Sequence, residues 1–513
     1  MDSEQNLDRR HFIAATGSAG LLGLSACGGD GGSPPPAPAP PPPVGPAWAS
    51  LSDSLQGQLL RPGDASFAAA APVFNAVYDH TVPQAIVRCA SAADIALALS
   101  FAQQNGLPVT ARSGGHGYTG DSTTTGIVID VGAINTISLN GDGSAVIGAG
   151  AKLVDVYDQL STAGVCIPSG SCPTIGIAGI TQGGGIGVLD RAWGLTCDNL
   201  LAAQVVLADG TIVDASETSH ADLFWALRGG GGGNFGVVAQ MTFRTFPTSD
   251  LTTLSAEFAW TDAAKVFAAW QAWPRTMPDA LWSGLVLATT SSGSATPYLQ
   301  LSTTFIGSNA DFTPIWNQFL ADAGATPSFH GTQTQSFRDA MLASCNGLSV
   351  SQCHLPGDNG RVQRGSFVAA SDFFDVALPP EGNQAMLDKV VAVQAGGGQM
   401  IVIMDLMGGA IARVAPDATA FVHRDALFSA QYYISGPVGA SPQQVSDARA
   451  AVTAMRATMA TWSSGECYQN YLDPGLADWQ SAYYGANYAR LVQVKAAYDP
   501  DQVFRPAQGI PPQ

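Results

Sequence analysis

Charged residues are scarce in this sequence of 513 residues, and basic residues are the scarcest. Asp, Glu, Lys and Arg make up 12% of the chain, and 22 basic residues stand against 40 acidic ones, which gives a formal net charge of −18. A surface that binds nucleic acid must offer basic groups to the phosphates. The composition therefore argues against a nucleic-acid partner, and the 58 glycines indicate a compact enzyme rich in loops.

The sequence also has little that could cross a membrane. The apolar stretch Phe12–Ala26 is too short and too rich in Gly and Ala for a good membrane span. It follows Arg9 and Arg10, a pair typical of twin-arginine export signals, although Asp8 stands where Ser or Thr is usual. We therefore expect this segment to direct export.

The export segment ends in Leu24-Ser-Ala-Cys27, which resembles a lipoprotein box whose Cys becomes lipidated. We predict a signal over residues 1–27 and a lipoprotein on the periplasmic side of a bacterial membrane, anchored only through Cys27. Gly28 after the Cys favours the outer membrane. A signal that is retained, or cleaved without lipidation to give a secreted protein, is the alternative.

A linker without core-forming residues follows the signal. Residues 28–47 hold a Gly-rich leader and then the proline run Pro34–Pro43, which is typical of a flexible tether that stiffens into polyproline II.

The sequence contains eight cysteines, and the cysteines of an exported protein favour disulfides. Cys345 and Cys353 flank a short polar segment and are the best local pair, whereas the connectivity of the others stays open.

Hydrophobic patterns in the rest of the chain predict an α+β fold in two or three domains. A helix over Ser91–Asn105 lies between strands at Val87 and Pro108–Ala111, which is a β-α-β unit. From about Leu251 the alternating segments lengthen, as in Tyr298–Phe305. These segments predict a second domain with an antiparallel sheet covered by helices on one face.

Two glycine-rich stretches carry the strongest functional signal. Ser113-Gly-Gly-His-Gly117 places three glycines around His116, so consecutive backbone N–H groups can turn toward one anion such as a pyrophosphate. The stretch from Ser171 to Asn199 repeats the device and adds Cys172. A glycine-rich loop alone is weak evidence, because tight turns use the same residues.

The order of several motifs makes the signal specific. The sequence resembles the berberine-bridge-enzyme-like flavoprotein oxidases, within the vanillyl-alcohol oxidase and p-cresol methylhydroxylase (PCMH) type of FAD-binding proteins, from about Trp48 to the C-terminus. In chain order the segments that carry the resemblance are 83–94, 113–117, 170–176, 183–187, 227–238, 468–473 and 498–504.

The resemblance implies an α+β chain with a two-part PCMH-type FAD-binding domain and a substrate domain whose antiparallel sheet is covered by helices. On this basis the FAD-binding domain spans residues 48–248 and the substrate-binding domain spans residues 249–462. Residues 463–513 form a C-terminal segment that returns to the FAD domain. No metal site is expected.

The resemblance also implies that FAD is attached at two points. The family's matching His is bonded to the flavin 8α-methyl and its matching Cys to flavin C6, and both positions are filled here, by His116 and Cys172. The alternatives are a tether through His116 alone, with a structural Cys172, or a disulfide between Cys166 and Cys172.

Further FAD contacts follow from the same motifs. Val238 is expected near the adenine, although plain strand packing explains it nearly as well. Asn470 belongs to a Tyr-x-Asn signature beside the flavin. The residues expected around the pyrophosphate are Arg112, Ser113, Gly114, Gly115, Gly117 and Tyr118, and those beside the ring are Gly176, Gly179, Thr181, Gly183 and Gly187.

Two residues are expected to take part in the chemistry. Oxidation of an alcohol needs a base for the hydroxyl proton while hydride leaves for the flavin. The resemblance assigns this role to Tyr468, and Asp405 is the candidate partner because it is a single carboxylate in an otherwise apolar strand. Such a carboxylate marks either a site or a buried ion pair. Arg424 is interpreted as structural.

The expected function is an FAD oxidase that converts a small-molecule or oligosaccharide substrate, first a sugar lactol to its lactone, and reduces O2 to H2O2. An oxidase or dehydrogenase of aromatic or benzylic alcohols, or an oxidative cyclase, is the alternative. A surface-tethered binding protein that has lost the flavin is a remote one, against which the intact His116, Cys172 and Tyr468 argue.

Overall fold

The computed structural model describes residues 45–290 and 296–512. The predicted signal with Cys27, and the predicted linker up to residue 44, lie outside the described residues. Residues from Ala47 onward form one compact unit. Within the described ranges, no helix combines the length and the apolar character that a membrane span requires.

The first sheet of the described residues has four strands in the order β1-β2-β4-β3, in which β2, β4 and β3 are parallel. The Ser91 hydroxyl accepts a hydrogen bond from the Asp94 backbone N–H and thereby caps the helix predicted between β2 and β3. The elements are α1 (Trp48–Ser54), β1 (Gln58–Leu60), α2 (Phe67–Ala70), β2 (Ala85–Arg88), α3 (Ala92–Gln104), β3 (Val109–Arg112) and β4 (Ile127–Asp130).

A second, antiparallel sheet follows in the order β5-β6-β10-β8-β9, while β7 and β11 pair separately. Its strands are β5 (Ile137–Leu139), β6 (Ala145–Gly148), β7 (Val165–Cys166), β8 (Leu200–Val206), β9 (Ile212–Ser216), β10 (Val237–Phe243) and β11 (Phe246–Pro247). The helices of this part are α4 (Leu153–Thr162), α5 (Ile177–Gln182), α6 (Asp190–Trp193) and α7 (Ala221–Ala226).

The second half of the chain forms a seven-stranded sheet in which every neighbouring pair is antiparallel. The strand order is β15-β12-β14-β13-β17-β18-β16. The strands are β12 (Leu251–Phe258), β13 (Leu281–Ala288), β14 (Tyr298–Ile306), β15 (Phe329–Gln335), β16 (Ser366–Phe374), β17 (Ile401–Leu406) and β18 (Phe428–Gly436).

Helices cover one face of this sheet and bury an apolar core against it. They are α8 (Ala263–Ala272), α9 (Asn309–Ala323), α11 (Pro380–Ala395) and α12 (Pro442–Met459), and α10 (Phe337–Leu342) lies on α4 instead. Because side chains alternate across a strand, the intervening residues face the other way, toward a cavity. The predicted α+β architecture is confirmed.

Two further sequence expectations concern cysteines and the C-terminus. Cys345 and Cys353 form a disulfide, as their spacing suggests. Cys89, Cys166, Cys172, Cys197 and Cys467 are free. The C-terminal helices α13 (Trp479–Tyr484) and α14 (Tyr488–Tyr498) pack into the core of the first half of the chain.

Two buried guanidinium groups join the two halves. Arg191, on α6, donates to the carbonyls of Leu281 and Met407, so one side chain holds the start of β13 and the end of β17. Arg424 reaches Asp198 with both terminal nitrogens, at 2.8 and 2.7 Å. The side chains of this pair are 1% and 7% exposed.

Asp198→Asn should destabilise the protein strongly, because it leaves the Arg424 charge buried without its counter-ion. We expect the free energy of unfolding to fall by about 3–5 kcal/mol, measured by chemical denaturation. The matched control is Arg413→Gln, which breaks an ion pair with Asp279 whose side chains are 61% and 44% exposed. That change should cost less than about 1 kcal/mol, and equal losses in the two variants would contradict the structural role of Arg424.

Candidate active site

The His116 loop and the Cys172 loop meet backbone to backbone. A Cβ on Gly114 would lie 2.2 Å from the backbone nitrogen of Gly176, and a Cβ on Gly176 would lie 2.4 Å from the backbone nitrogen of Gly114. Gly115 has a φ of +70°, which turns the chain just before His116. Only glycine at these positions allows both loops to border the same cavity.

The His116 loop offers unpaired backbone donors. The N–H groups of residues 113–118 donate to no group in the described part of the chain. The Arg112 side chain is engaged behind the loop, where its Nε donates to Asp130 at 3.2 Å and its Nη1 donates to the Ala71 carbonyl. A run of free amides at a strand end suits a pyrophosphate, so the loop fits the FAD that the sequence implies.

The His116 ring is held on two sides and is neutral. Its Nε2 lies 2.8 Å from the Thr174 hydroxyl, and the Phe74 ring stacks on it at a centroid distance of 4.0 Å. Burial, with a contribution from the charge of Lys152, lowers the pKa of His116 to about 3. No described residue hydrogen-bonds Nδ1, and in the tautomer whose Nε2–H donates to Thr174 this nitrogen keeps a lone pair for nucleophilic attack.

Cys172 lies on the opposing loop with its side chain exposed to the cavity. Although solvent-accessible there, the thiol is surrounded by protein beyond the cavity, and burial raises its pKa. Cys166, on β7, is buried and equally free, so the structure contains no disulfide between these two cysteines. Cys172 is therefore available for a covalent bond.

The two loops border a cavity of about 1100 Å³, which has room for a dinucleotide and a substrate. Of the predicted residues, Thr181 and Gly183 do not line it. Thr181 is fully buried and donates to the Ile177 carbonyl, and Gly183 packs on Asn470. The predicted residues that line it are Arg112, Ser113, Gly114, Gly115, His116, Gly117, Tyr118, Cys172, Gly176, Gly179, Gly187, Val238, Asp405, Tyr468 and Asn470.

Three donors converge on the hydroxyl of Tyr468. The backbone N–H groups of Gly185 and Ile186 and the Asn470 side-chain amide approach it at 2.8, 3.3 and 2.8 Å. A Cβ on Gly185 would lie 2.2 Å from the Thr196 hydroxyl, so a glycine is needed to bring this N–H into place. Burial raises the pKa of Tyr468, while the three donors act in the opposite direction.

Asp405 lies on the cavity wall without a cationic partner in the described part of the chain. Burial raises the pKa of its carboxyl to about 6. Burial is the largest cause that raises the pKa of Tyr471, and the charges of Tyr118 and Asp405 add to it. The Tyr471 ring contacts that of Tyr468 at a centroid distance of 4.8 Å, and Asp405, Tyr468 and Tyr471 all line the cavity.

Several cavity residues carried no signal that sequence reasoning used. Gln431 donates to the Tyr118 hydroxyl at 2.6 Å, and the Tyr118 ring stacks on that of Tyr471. Tyr433 and Trp282 join them on the wall. Trp282 lies on β13 and Gln431 and Tyr433 lie on β18, so the sheet register places them on this wall. Tyr471, in contrast, stands within the predicted motif at 468–473. Thr174 could have been found, because it stands within the Cys172 motif.

Comparison with known proteins agrees with this geometry. A family model described as FAD binding domain matches residues 83–216, and one described as berberine and berberine like matches residues 467–511. The first match contains the His116 loop, Cys172 and the backbone donors Gly185 and Ile186, and the second contains Tyr468 and Asn470.

Relatives extend the likeness over most of the chain. An uncharacterized FAD-linked oxidoreductase of Bacillus subtilis is 33% identical over 436 residues, which are 84% of this chain and 91% of that protein. A glucooligosaccharide oxidase of Sarocladium strictum is 31% identical over 464 residues, covering 86% of this chain and 89% of its own.

A solved structure of glucooligosaccharide oxidase from Acremonium strictum, described as carrying 6-S-cysteinyl, 8α-N1-histidyl FAD, superposes with a TM-score of 0.80. It is 26% identical, with 91% of this chain and 99% of that chain covered. The motifs, the cavity and the extent of these matches lead to one conclusion: the chain belongs to the berberine-bridge-enzyme-like family of FAD-linked oxidoreductases.

Proposed function

We propose that this protein is an FAD-dependent oxidase that removes a hydride from a hydroxyl-bearing substrate and reduces O2 to H2O2. The first substrate class is a sugar or oligosaccharide lactol, which is converted to its lactone. The observation that carries the proposal is the cradle of three donors around the Tyr468 hydroxyl, on a cavity whose wall also holds Asp405. The relationship to a glucooligosaccharide oxidase supports a sugar as the substrate.

We further propose that the protein is exported and that a lipid attached to Cys27 anchors it to a membrane.

His116 and Cys172 are the residues proposed to hold the flavin covalently. Neutral His116, fixed by Thr174 and Phe74, offers Nδ1, and Cys172 offers its thiol from the facing loop. The free N–H groups of residues 113–118 would bind the pyrophosphate. When bound, the flavin supplies the acceptor for the hydride, and two attachments to its ring make it more oxidising.

Tyr468 is proposed as the base for the substrate hydroxyl. A phenol has a pKa of about 10, and burial disfavours its ionised form further. The three N–H donors oppose this effect, because each stabilises the phenolate, which is the form of Tyr468 that can take the proton from the substrate hydroxyl. The cradle thus favours the ionised form that acts as the base.

Asp405 is proposed to assist as a carboxylate. Since its pKa is near 6, it is ionised at neutral pH and protonated in mild acid. Asp405 and Tyr468 line the same cavity, so the carboxylate charge can act on the substrate hydroxyl that Tyr468 deprotonates. A carboxylate there favours departure of the proton from the substrate hydroxyl.

Aromatic alcohols are the second candidate substrates. The Tyr118 and Tyr471 rings stack at a centroid distance of 5.2 Å, and Phe367 stacks on Tyr433 at the same distance. All four side chains line the cavity, and such a wall can pack against either a sugar ring or a phenyl ring.

A peroxide-coupled screen of the purified protein tests the proposal. Sugars and oligosaccharides that carry a free lactol should yield H2O2 and the matching lactone. Activity only on benzylic alcohols would transfer the function to the second candidate. A colourless protein that produces no peroxide would contradict the oxidase altogether.

Tyr468→Phe should retain the flavin and lower turnover by roughly 10²–10⁴, because it removes a positioned proton acceptor. Asp405→Asn should cost less. In the wild type kcat/KM should rise with pH through about 6, as the Asp405 carboxyl loses its proton. This limb should be missing from the Asp405→Asn profile. Near-normal turnover of Tyr468→Phe beside an inactive Asp405→Asn would reverse the two roles.

A further inference from the structure

Trp282 has a hydrogen-bond donor without a partner. Its side chain lines the cavity, its Nε1 is buried, and no acceptor for this N–H lies within reach in the described part of the chain. An indole nitrogen can only donate, and a buried donor that stays unpaired costs free energy. The missing acceptor is therefore expected on the molecule that binds there.

The indole is fixed close to Asp405. A Cβ on Gly284 would lie 2.9 Å from Cη2 and 3.2 Å from Cζ2 of Trp282, so the six-membered ring covers Gly284. Gly284 pairs with Asp405 across β13 and β17. Paired positions of antiparallel strands face the same side, with Cβ atoms about 4.5–5.5 Å apart, and the indole therefore borders the Asp405 carboxylate.

The buried Arg191 side chain keeps this arrangement rigid. Arg191 holds the carbonyl of Leu281, the residue before Trp282, and the carbonyl of Met407, two residues after Asp405. Gln431, on the same sheet, already donates to the Tyr118 hydroxyl, whereas the Trp282 N–H has no partner among the described residues. The Trp282 N–H is thus a pre-positioned donor beside the group that assists proton removal.

From this geometry we infer that Trp282 determines specificity by donating its indole N–H to a second oxygen of the substrate, near the carbon that loses the hydride. The inference rests on the proposed function of this cavity. The class that satisfies it is a hydroxyl compound with a neighbouring acceptor, such as a lactol with its ring oxygen. A benzylic alcohol without a neighbouring oxygen does not satisfy it.

Two pairs of probes test the inference. One pair is glucose and its carbocyclic analogue, in which CH2 replaces the ring oxygen, and the other is 2-methoxybenzyl and 2-ethylbenzyl alcohol. For the pair that the wild type oxidises, kcat/KM of the oxygen-bearing compound is divided by kcat/KM of the oxygen-free compound, and this ratio is compared between variants. Trp282→Phe keeps a ring and loses the donor, and should lower this ratio about tenfold.

Two further variants make the result specific. Gly284→Ala keeps the indole but pushes it aside, and should lower the same ratio. Trp273→Phe, in the core on the helix-covered side of the sheet, should leave the ratio unchanged. If Trp282→Phe keeps the wild-type flavin content, an unchanged ratio in this variant overturns the inference. If Trp282→Phe loses its flavin, Gly284→Ala decides instead, and an unchanged ratio in that variant overturns the inference.

Failure of the proposed function has a different signature. If the wild type oxidises neither pair, the oxidase proposal fails on these substrates. The dissociation constants of the same four compounds, read from the flavin absorbance, then replace kcat/KM. A ratio of affinities that falls in Trp282→Phe supports the donor role, and one that does not fall overturns it.

Discussion

The contact between Gly114 and Gly176 is the constraint on which the rest of the site depends. At this point two backbones lie closer than any side chain would allow. The contact sets the His116 loop against the Cys172 loop, where Thr174 can bind the imidazole. It also leaves the N–H groups of residues 113–118 without internal partners. The proposed binding of the cofactor therefore depends on backbone geometry, in agreement with a cavity lining that contains more glycines than charged groups.

The substrate end depends on a second kind of constraint, the docking of the seven-stranded sheet onto the flavin-binding loops. Arg191 fixes β13 and β17 together, and the Arg424–Asp198 pair fixes the loop that precedes β18. Both guanidinium groups are almost fully buried, so displacement of the sheet would expose one of these charges or leave it buried without its partners. The catalytic candidates Asp405, on β17, and Tyr468, in the C-terminal segment, therefore come from separate parts of the chain and line one cavity.

Local patterns in the sequence were enough to predict the loops and the architecture. Glycine spacing identified the His116 and Cys172 loops, and the alternation in 298–305 identified an antiparallel sheet. Trp282 and Gln431 could not be predicted, because strand register and the packing of two halves decide which residues of a sheet face the cavity. The role of Arg191 was hidden for the same reason, since its acceptors are backbone carbonyls about 90 and 216 residues away.

Covalent attachment of one flavin to both loops can be tested by mass spectrometry of denatured His116→Ala protein. The FAD mass is expected on the peptide that contains Cys172, because that thiol faces the cavity and is free. The double change of His116 and Cys172 should release FAD on denaturation. Complete loss of FAD from His116→Ala, with Cys172 recovered in a disulfide, would contradict double attachment and leave a flavin that the wild type holds through His116 alone.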